Sequence, residues 1–382
     1  MGVERLVVHI GDPKTGSTSI QRCLFDRRWT CPTVTLDYPP AITALPLVAL
    51  IRNQPNKRRE AKGWKPTTDW AAHSTAQIGV LSAEQFSGVP PADLHRALKS
   101  HLPQLAARAR IVAYIRPHHS RFLSSYAQRI KAGHMRKSLD AFGADPGELL
   151  ILQMHQRFVA WRDEFGRRLV VRPMVRRELQ DGDVVSDFLG IALNGAPFTL
   201  TAPTDANVSL SAEALSGLRW FHAALKTHEV SSAERHSIGS RVSSLVSVAN
   251  PRGGTRLKLH KALYQRLVDS CLEDARALDR DFFGRPVMAD ALLEGEADTV
   301  DQEIKMDASV YYAPTVLSGL DKTALAVARL IKRHPEVWHK AYKRDLGRLT
   351  PGGADEGMSA DALQAISRTD ALLGQAATLL AI

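Results

Sequence analysis

A lysine, a glycine and a run of hydroxyls stand together where the first apolar stretch of this chain gives way to a helical one. The segment reads Val7-Val8-His9-Ile10-Gly11-Asp12-Pro13-Lys14-Thr15-Gly16-Ser17-Thr18-Ser19-Ile20-Gln21. A strand that enters a Gly/Pro turn and then a helix near Gly16 leaves backbone N–H groups pointing outward. The positive end of the helix dipole stands behind them. Gly16 lets the backbone approach an anion closely. Ser17 and Thr18 add hydroxyl donors, and Lys14 adds a full charge. The pattern predicts a phosphate cradle. It is not GxxxxGK[ST], because Lys14 precedes Gly16. That order puts the ammonium at the leading edge of the loop, where it meets a bridging oxygen rather than a terminal γ-phosphate.

The same architecture returns at Ala113-Tyr114-Ile115-Arg116-Pro117-His118-His119-Ser120-Arg121-Phe122-Leu123-Ser124. An apolar run ends in arginine, and a proline opens the next helix. An arginine at the carboxyl end of a parallel strand lies where α/β folds bind ligands, and its guanidinium can grip a phosphate with two bonds. Ser124 follows about two helical turns later. His118 and His119 read as surface residues of the first turn. Glu84 follows a third apolar run, Ile78–Leu81, so its carboxylate is expected on the same rim as Lys14 and Arg116. Partial desolvation there would raise its pKa and suit it to accept a proton. His73 is the second candidate for a base, and His9 is expected inside the first strand.

Pro13-Lys14-Thr15-Gly16-Ser17-Thr18-Ser19 resembles the 5′-phosphosulfate loop of the sulfotransferases that use 3′-phosphoadenylyl sulfate (PAPS), usually written PK[ST]G[ST][TS]. Arg116 with Ser124 is similar to the 3′-phosphate motif of that family, except that the usual Asp between Arg and Pro is missing. Leu179-Gln180-Asp181-Gly182-Asp183-Val184-Val185-Ser186-Asp187-Phe188-Leu189 resembles a segment common in bacterial carbohydrate sulfotransferases. Asn250-Pro251-Arg252-Gly253-Gly254-Thr255-Arg256 resembles the Gly/basic loop that closes over the nucleotide. The likeness runs from Val3 to Pro286.

The resemblance implies a P-loop-like fold with PAPS as donor, adenosine 3′,5′-bisphosphate (PAP) as product, and no metal. Lys14, Thr15, Gly16, Ser17, Thr18 and Ser19 would hold the 5′ end. Arg116 and Ser124 would hold the 3′-phosphate, and Gly254, Thr255 and Arg256 would close over the nucleotide. The acceptor would be a carbohydrate or glycolipid hydroxyl. Glu84 would be the base, since carbohydrate enzymes of the family carry a Glu in a similar place and small-molecule enzymes a His. Two other readings stand beside it. A P-loop kinase or NTPase would need Mg²⁺ and a Walker B carboxylate, which no strand end clearly supplies. A non-catalytic module for acidic glycans would keep the basic surface without turnover.

Positioning these groups takes a parallel sheet. Apolar runs predict strands at Leu6–Ile10, Ile78–Leu81, Ile111–Ile115 and Leu169–Val171, alternating with helix-period segments. This is the signature of a three-layer α/β domain with a central parallel sheet. Ile20, Cys23 and Leu24 share one helical face. Leu94, Leu98, Leu102 and Leu105 recur after Pro90-Pro91, and Leu150, Met154, Phe158 and Trp161 form another stripe. Arg52–Pro66, basic and broken by Gly and Pro, predicts a loop. Ala289–Asp307 is acidic and predicts a linker, dividing a domain at 1–286 from a helical C-terminal extension at 287–382. In that extension Asp321 is expected to cap a helix ending at Pro335. Trp338, Tyr342 and Leu346 follow at helical spacing, and Ser359 caps a last helix.

The net charge of +10 and pI near 9.6 favour anionic partners. Aromatic content of 6% without a reader motif argues against nucleic acid. No apolar run is long enough to span a bilayer, and the charged start is not a signal sequence. Three cysteines without metal or CxxC spacing suit a reducing, cytoplasmic setting, with Cys23 and Cys271 in the core.

Overall fold

The computed structural model describes residues 2–12, 14–202, 209–250, 253–335 and 359–381. Pro13, Pro251, Arg252 and the Trp338/Tyr342/Leu346 stripe lie outside them. The chain divides into two compact units. The first comprises Met1–Arg121, Ile151–Ala206 and Val268–Gly295; the second comprises Phe122–Leu150, Asn207–Leu267 and Glu296–Ile382.

The first unit is built on a five-stranded parallel sheet flanked by helices. Its strands are β1 (Arg5–His9), β3 (Leu36–Asp37), β4 (Ile78–Ser82), β5 (Arg110–Ile115) and β6 (Leu169–Pro173). Their order is β3-β4-β1-β5-β6. All four long apolar runs are strands; β1, β4 and β5 are covered on both faces, which removes the polar alternation of a one-sided sheet, whereas β6 at the edge is half-buried. On one face Val7, Ile78, Val80, Val112 and Tyr114 pack under Ile20, Cys23 and Leu24 of helix α1 (Ser17–Phe25), and under Val185, Phe188 and Leu189. Leu6, Val8, Ile111, Ala113 and Ile115 of the opposite face are also buried. The two-residue strand β3 and the ribbon formed by β2 (Trp29–Thr30) and β7 (Thr199–Leu200) leave no periodic trace in the sequence.

Several sequence expectations change. Arg52–Pro66 is not a loop: Lys57–His73 is a helix whose Asn56 side chain accepts the Arg59 N–H at its start. The cationic run hid the anchor, Trp64, which is fully buried and stacked on His101. Pro66 is tolerated inside this helix, where it removes one backbone bond. The Leu94–Leu105 stripe is broken after Leu102, where Pro103 opens a second short helix, although all four leucines are buried. Leu150 is 68% exposed and stands outside the helix His155–Phe165 that buries Phe158 and Trp161.

In the second unit the helices Ala212–Thr227, Ser232–Ala249, Pro314–Arg333 and Ala360–Leu380 pack on one another. Ser359 caps the last of them by accepting the Ala362 N–H. Asp321 does not cap: the helix starts seven residues earlier at Pro314, and the Asp321 carboxylate accepts the Trp220 indole N–H. The acidic stretch from 289 is structured at its start, where helix Met288–Glu294 buries Met288, Ala289, Ala291 and Leu292. Cys23 and Cys271 are buried on helices, and burial raises their thiol pKa values to about 11 and about 12. No described helix is long and apolar enough to cross a membrane.

Candidate functional site

The strand order places a topological switch point at β1. The chain leaves β1 for β3 and β4 on one side, then crosses to β5 and β6 on the other. Crossovers that diverge this way open a crevice at the strands' carboxyl ends, where α/β proteins bind ligands. Register fixes which residues meet there: His9 of β1 pairs with Ser82 of β4 and with Val112 of β5. The next residues of the three strands therefore share one rim. They are the Gly11–Gly16 turn, Glu84 and Arg116.

The contacts bear this out. Arg116 Nη1 donates to the Lys14 carbonyl at 3.0 Å, and its Nε donates to Ser120 Oγ at 3.0 Å. The Glu84 carboxylate accepts the Lys14 backbone N–H. A Cβ on Gly11 would stand 2.7 Å from the Glu84 Cα, so that turn can only be glycine. Burial pushes the Glu84 carboxyl above its ordinary value, against the Lys14 charge that pulls it down. Burial likewise lowers the Lys14 ammonium, opposed by Glu84 and reinforced by Arg116. An acid, an amine and a guanidinium are thus coupled within one partly desolvated rim.

The turn is held in an unusual backbone. Gly11, Lys14 and Gly16 all have positive φ, of 64°, 70° and 80°. For lysine this conformation carries strain, of a kind that persists at functional sites when surroundings impose it. Gly16 serves as the cap residue of α1 without a side-chain bond to the helix. Ser17 is buried, and its hydroxyl finds no partner among the described residues. An orphaned hydroxyl at a helix start above a cationic rim suits an oxyanion.

Gly16 is further constrained by Val184, since a Cβ would sit 2.6 Å from Val184 Cγ1. Val184 opens the helix Val184–Ala192, which Asp183 caps by accepting the Val185 and Ser186 N–H groups. The Leu179–Leu189 segment therefore buttresses the cradle. Gly16→Ala is expected to destabilise the protein by at least ~1–2 kcal/mol from the left-handed backbone alone. Urea denaturation measures this, and adding Val184→Ala should recover the packing part but not the backbone part.

Not every anticipated donor faces outward. The Thr15 hydroxyl is buried and donates to the Asp12 carbonyl at 2.7 Å, closing the turn on itself. Thr18 is exposed and Ser19 half-buried. His118 is not a surface residue: it is fully buried, with Nε2 2.8 Å from Asp274 Oδ2. Asp274 also accepts the Met154 and His155 N–H groups, so the imidazole is fixed as a scaffold element. His9 is buried in β1 and pushed down to about 3 by desolvation. His73 ends the helix Lys57–His73 beside Ala71, whose carbonyl accepts the Val3 N–H ahead of β1. It therefore lies at the end of the sheet opposite the rim.

Ser124 lies on the helix His118–Lys131 and belongs to the second unit, as do Gly254, Thr255 and Arg256. The Gly/basic loop is tied down there. Glu213 accepts the Thr255 N–H, the Thr255 carbonyl accepts the Ala212 N–H, and Arg256 pairs with Asp298.

The sequence reading missed a buried charge cluster behind the turn. Asp12 is fully buried between Arg121 and Arg157, with Arg157 Nη2 2.9 Å from its carboxylate. Two guanidiniums against one carboxylate leave positive charge under the cradle. The signal was Asp12 itself, because an acid buried beneath an apolar strand end needs a cation beside it.

Fold and rim define an α/β protein whose central strand ends in a strained cationic turn at the topological switch point. No family model, curated protein or solved structure matches the chain.

Proposed function

We propose that this chain is a PAPS-dependent sulfotransferase acting on a carbohydrate or glycolipid hydroxyl. The observation that carries the reading is the convergence of Lys14, Glu84 and Arg116 on one rim at the end of β1. Sulfuryl transfer needs an in-line acceptor, a base for its proton and charge stabilisation on the leaving oxygen. The acceptor oxygen bonds to sulfur as the bond from sulfur to the bridging phosphate oxygen breaks. That electron pair remains on the phosphate of PAP, beside the Lys14 ammonium and the start of α1. The acceptor proton passes to the Glu84 carboxylate, whose raised pKa favours taking it.

Arg116 serves twice in this reading, as an anion ligand and as the clamp on the Lys14 carbonyl. Three free cysteines, two of them deeply buried, fit a reducing compartment such as the cytoplasm. The test is calorimetry of the full chain with PAP and separately with ATP and Mg²⁺. PAP binding without metal supports the reading, whereas tight ATP–Mg²⁺ binding with no affinity for PAP replaces it with an NTPase. Arg116→Ala is expected to weaken PAP ~10–100-fold, the scale of a lost charge-assisted contact. Bound-state turnover should change less, and undiminished PAP affinity would remove Arg116 from the nucleotide.

A further inference from the structure

The second unit contains a cavity of about 420 Å³ that the nucleotide chemistry does not use. Its size lies in the range of small-molecule sites. Four cations line it, Arg136, Arg219, Lys226 and Arg235, against a single carboxylate, Asp307. Arg136 and Lys226 are exposed, and neither has an ion-pair partner among the described residues. Such an excess of positive charge in a concave wall selects an anion.

The remaining wall groups narrow the class. His222 is only 5% exposed, and its Nε2 lies 3.2 Å from the Lys131 carbonyl, so Nε2 carries the proton. Burial pulls this imidazole down to about 4, with Arg235, His134 and His236 pulling the same way. The ring is therefore neutral, and Nδ1 is a bare acceptor with no partner among the described residues. Gly133, at φ 72°, lines the cavity beside it, and a Cβ there would stand 2.9 Å from Nδ1. That nitrogen is sealed from solvent behind the glycine, so it shapes the wall without reaching a ligand.

Trp220 supplies an apolar face. Its indole is 37% exposed, and its N–H is fixed on Asp321 at 2.9 Å. Met135 and Met306 extend the apolar wall. A ligand meeting both demands, of charge and of an apolar face, carries an anionic group and a flat C–H surface. An inorganic anion meets the first alone.

We propose that this cavity binds an anionic saccharide, a pyranose ring bearing a sulfate or carboxylate. The inference stands on the second unit by itself and does not depend on sulfuryl transfer. It is tested by calorimetry of the full chain, without nucleotide, against N-acetylglucosamine 6-sulfate, N-acetylglucosamine and inorganic sulfate. The sulfated sugar should bind at least ~10-fold tighter than either control, since each lacks part of the complement.

The double variant Arg136→Gln/Lys226→Gln should weaken the sulfated sugar by ~10-fold or more while leaving Tm unchanged, because both side chains are exposed. Lys14→Ala should leave this affinity intact, which separates the cavity from the rim. Equal affinity for sulfate and sugar sulfate would reduce the cavity to an ion site. No sugar binding, or binding indifferent to the double variant, would overturn the proposal outright.

Discussion

Lys14→Ala is expected to lower sulfuryl-transfer kcat by at least ~10³-fold, the upper range for removing one preorganised group that stabilises a leaving oxyanion. The structure makes the substitution interpretable. Lys14 occupies a left-handed backbone, and alanine meets much the same backbone penalty there, so the turn itself is little changed. The Arg116 bond to the residue 14 carbonyl and the Glu84 bond to its N–H involve the main chain and survive. What disappears is the ammonium. Lys14→Met, which keeps the aliphatic stem, should be as inactive as Lys14→Ala. Single-turnover kinetics at saturating PAPS measures the effect, and a loss confined to KM would mean that Lys14 binds the donor without assisting departure.

Glu84→Gln is expected to reduce kcat by ~10²-fold or more, the contribution of a positioned general base. It also makes a prediction about pH. Burial raises the Glu84 carboxyl above its ordinary value, so kcat/KM of the native chain should climb through that raised pKa as the base ionises. The Gln variant should lack this acid limb. Stability carries the opposite sign. The folded chain holds the Glu84 proton more tightly than the unfolded chain does, so folding stability falls as pH rises through the raised value. Glu84→Gln should therefore melt no lower than the native chain near neutral pH while turning over far more slowly. Unchanged turnover with PAP still bound would remove Glu84 from the role of base.

The parts of this architecture written in the sequence are those governed by local chemistry. The four apolar runs were legible as strands of a parallel sheet from their length and their alternation with helix-period segments, and the Lys14–Gly16 pattern already specified a turn into α1. Glu84 and Arg116 were legible as strand-end residues because each follows such a run within three positions. Segments whose state depends on a distant partner were not legible. The Lys57–His73 helix looked like a basic loop, since its one large apolar anchor, Trp64, is buried against His101 far along the chain. His118 looked like a surface residue because nothing nearby announces Asp274, 156 positions later.

The sequence by itself determined a strand, a glycine-hinged turn and a helix start carrying Lys14, together with the strand ends that carry Glu84 and Arg116. Periodicity and turn chemistry act over a few residues, and those elements need nothing more. Only the tertiary structure decided that β1 lies between β4 and β5, because strand order is a matter of crossovers rather than of any residue's neighbours. That order brings the three groups to one rim and sends His73 to the other end of the sheet. It also required the buried Asp12–Arg121–Arg157 cluster, since a carboxylate sealed from water is stable only where folding delivers its counterions.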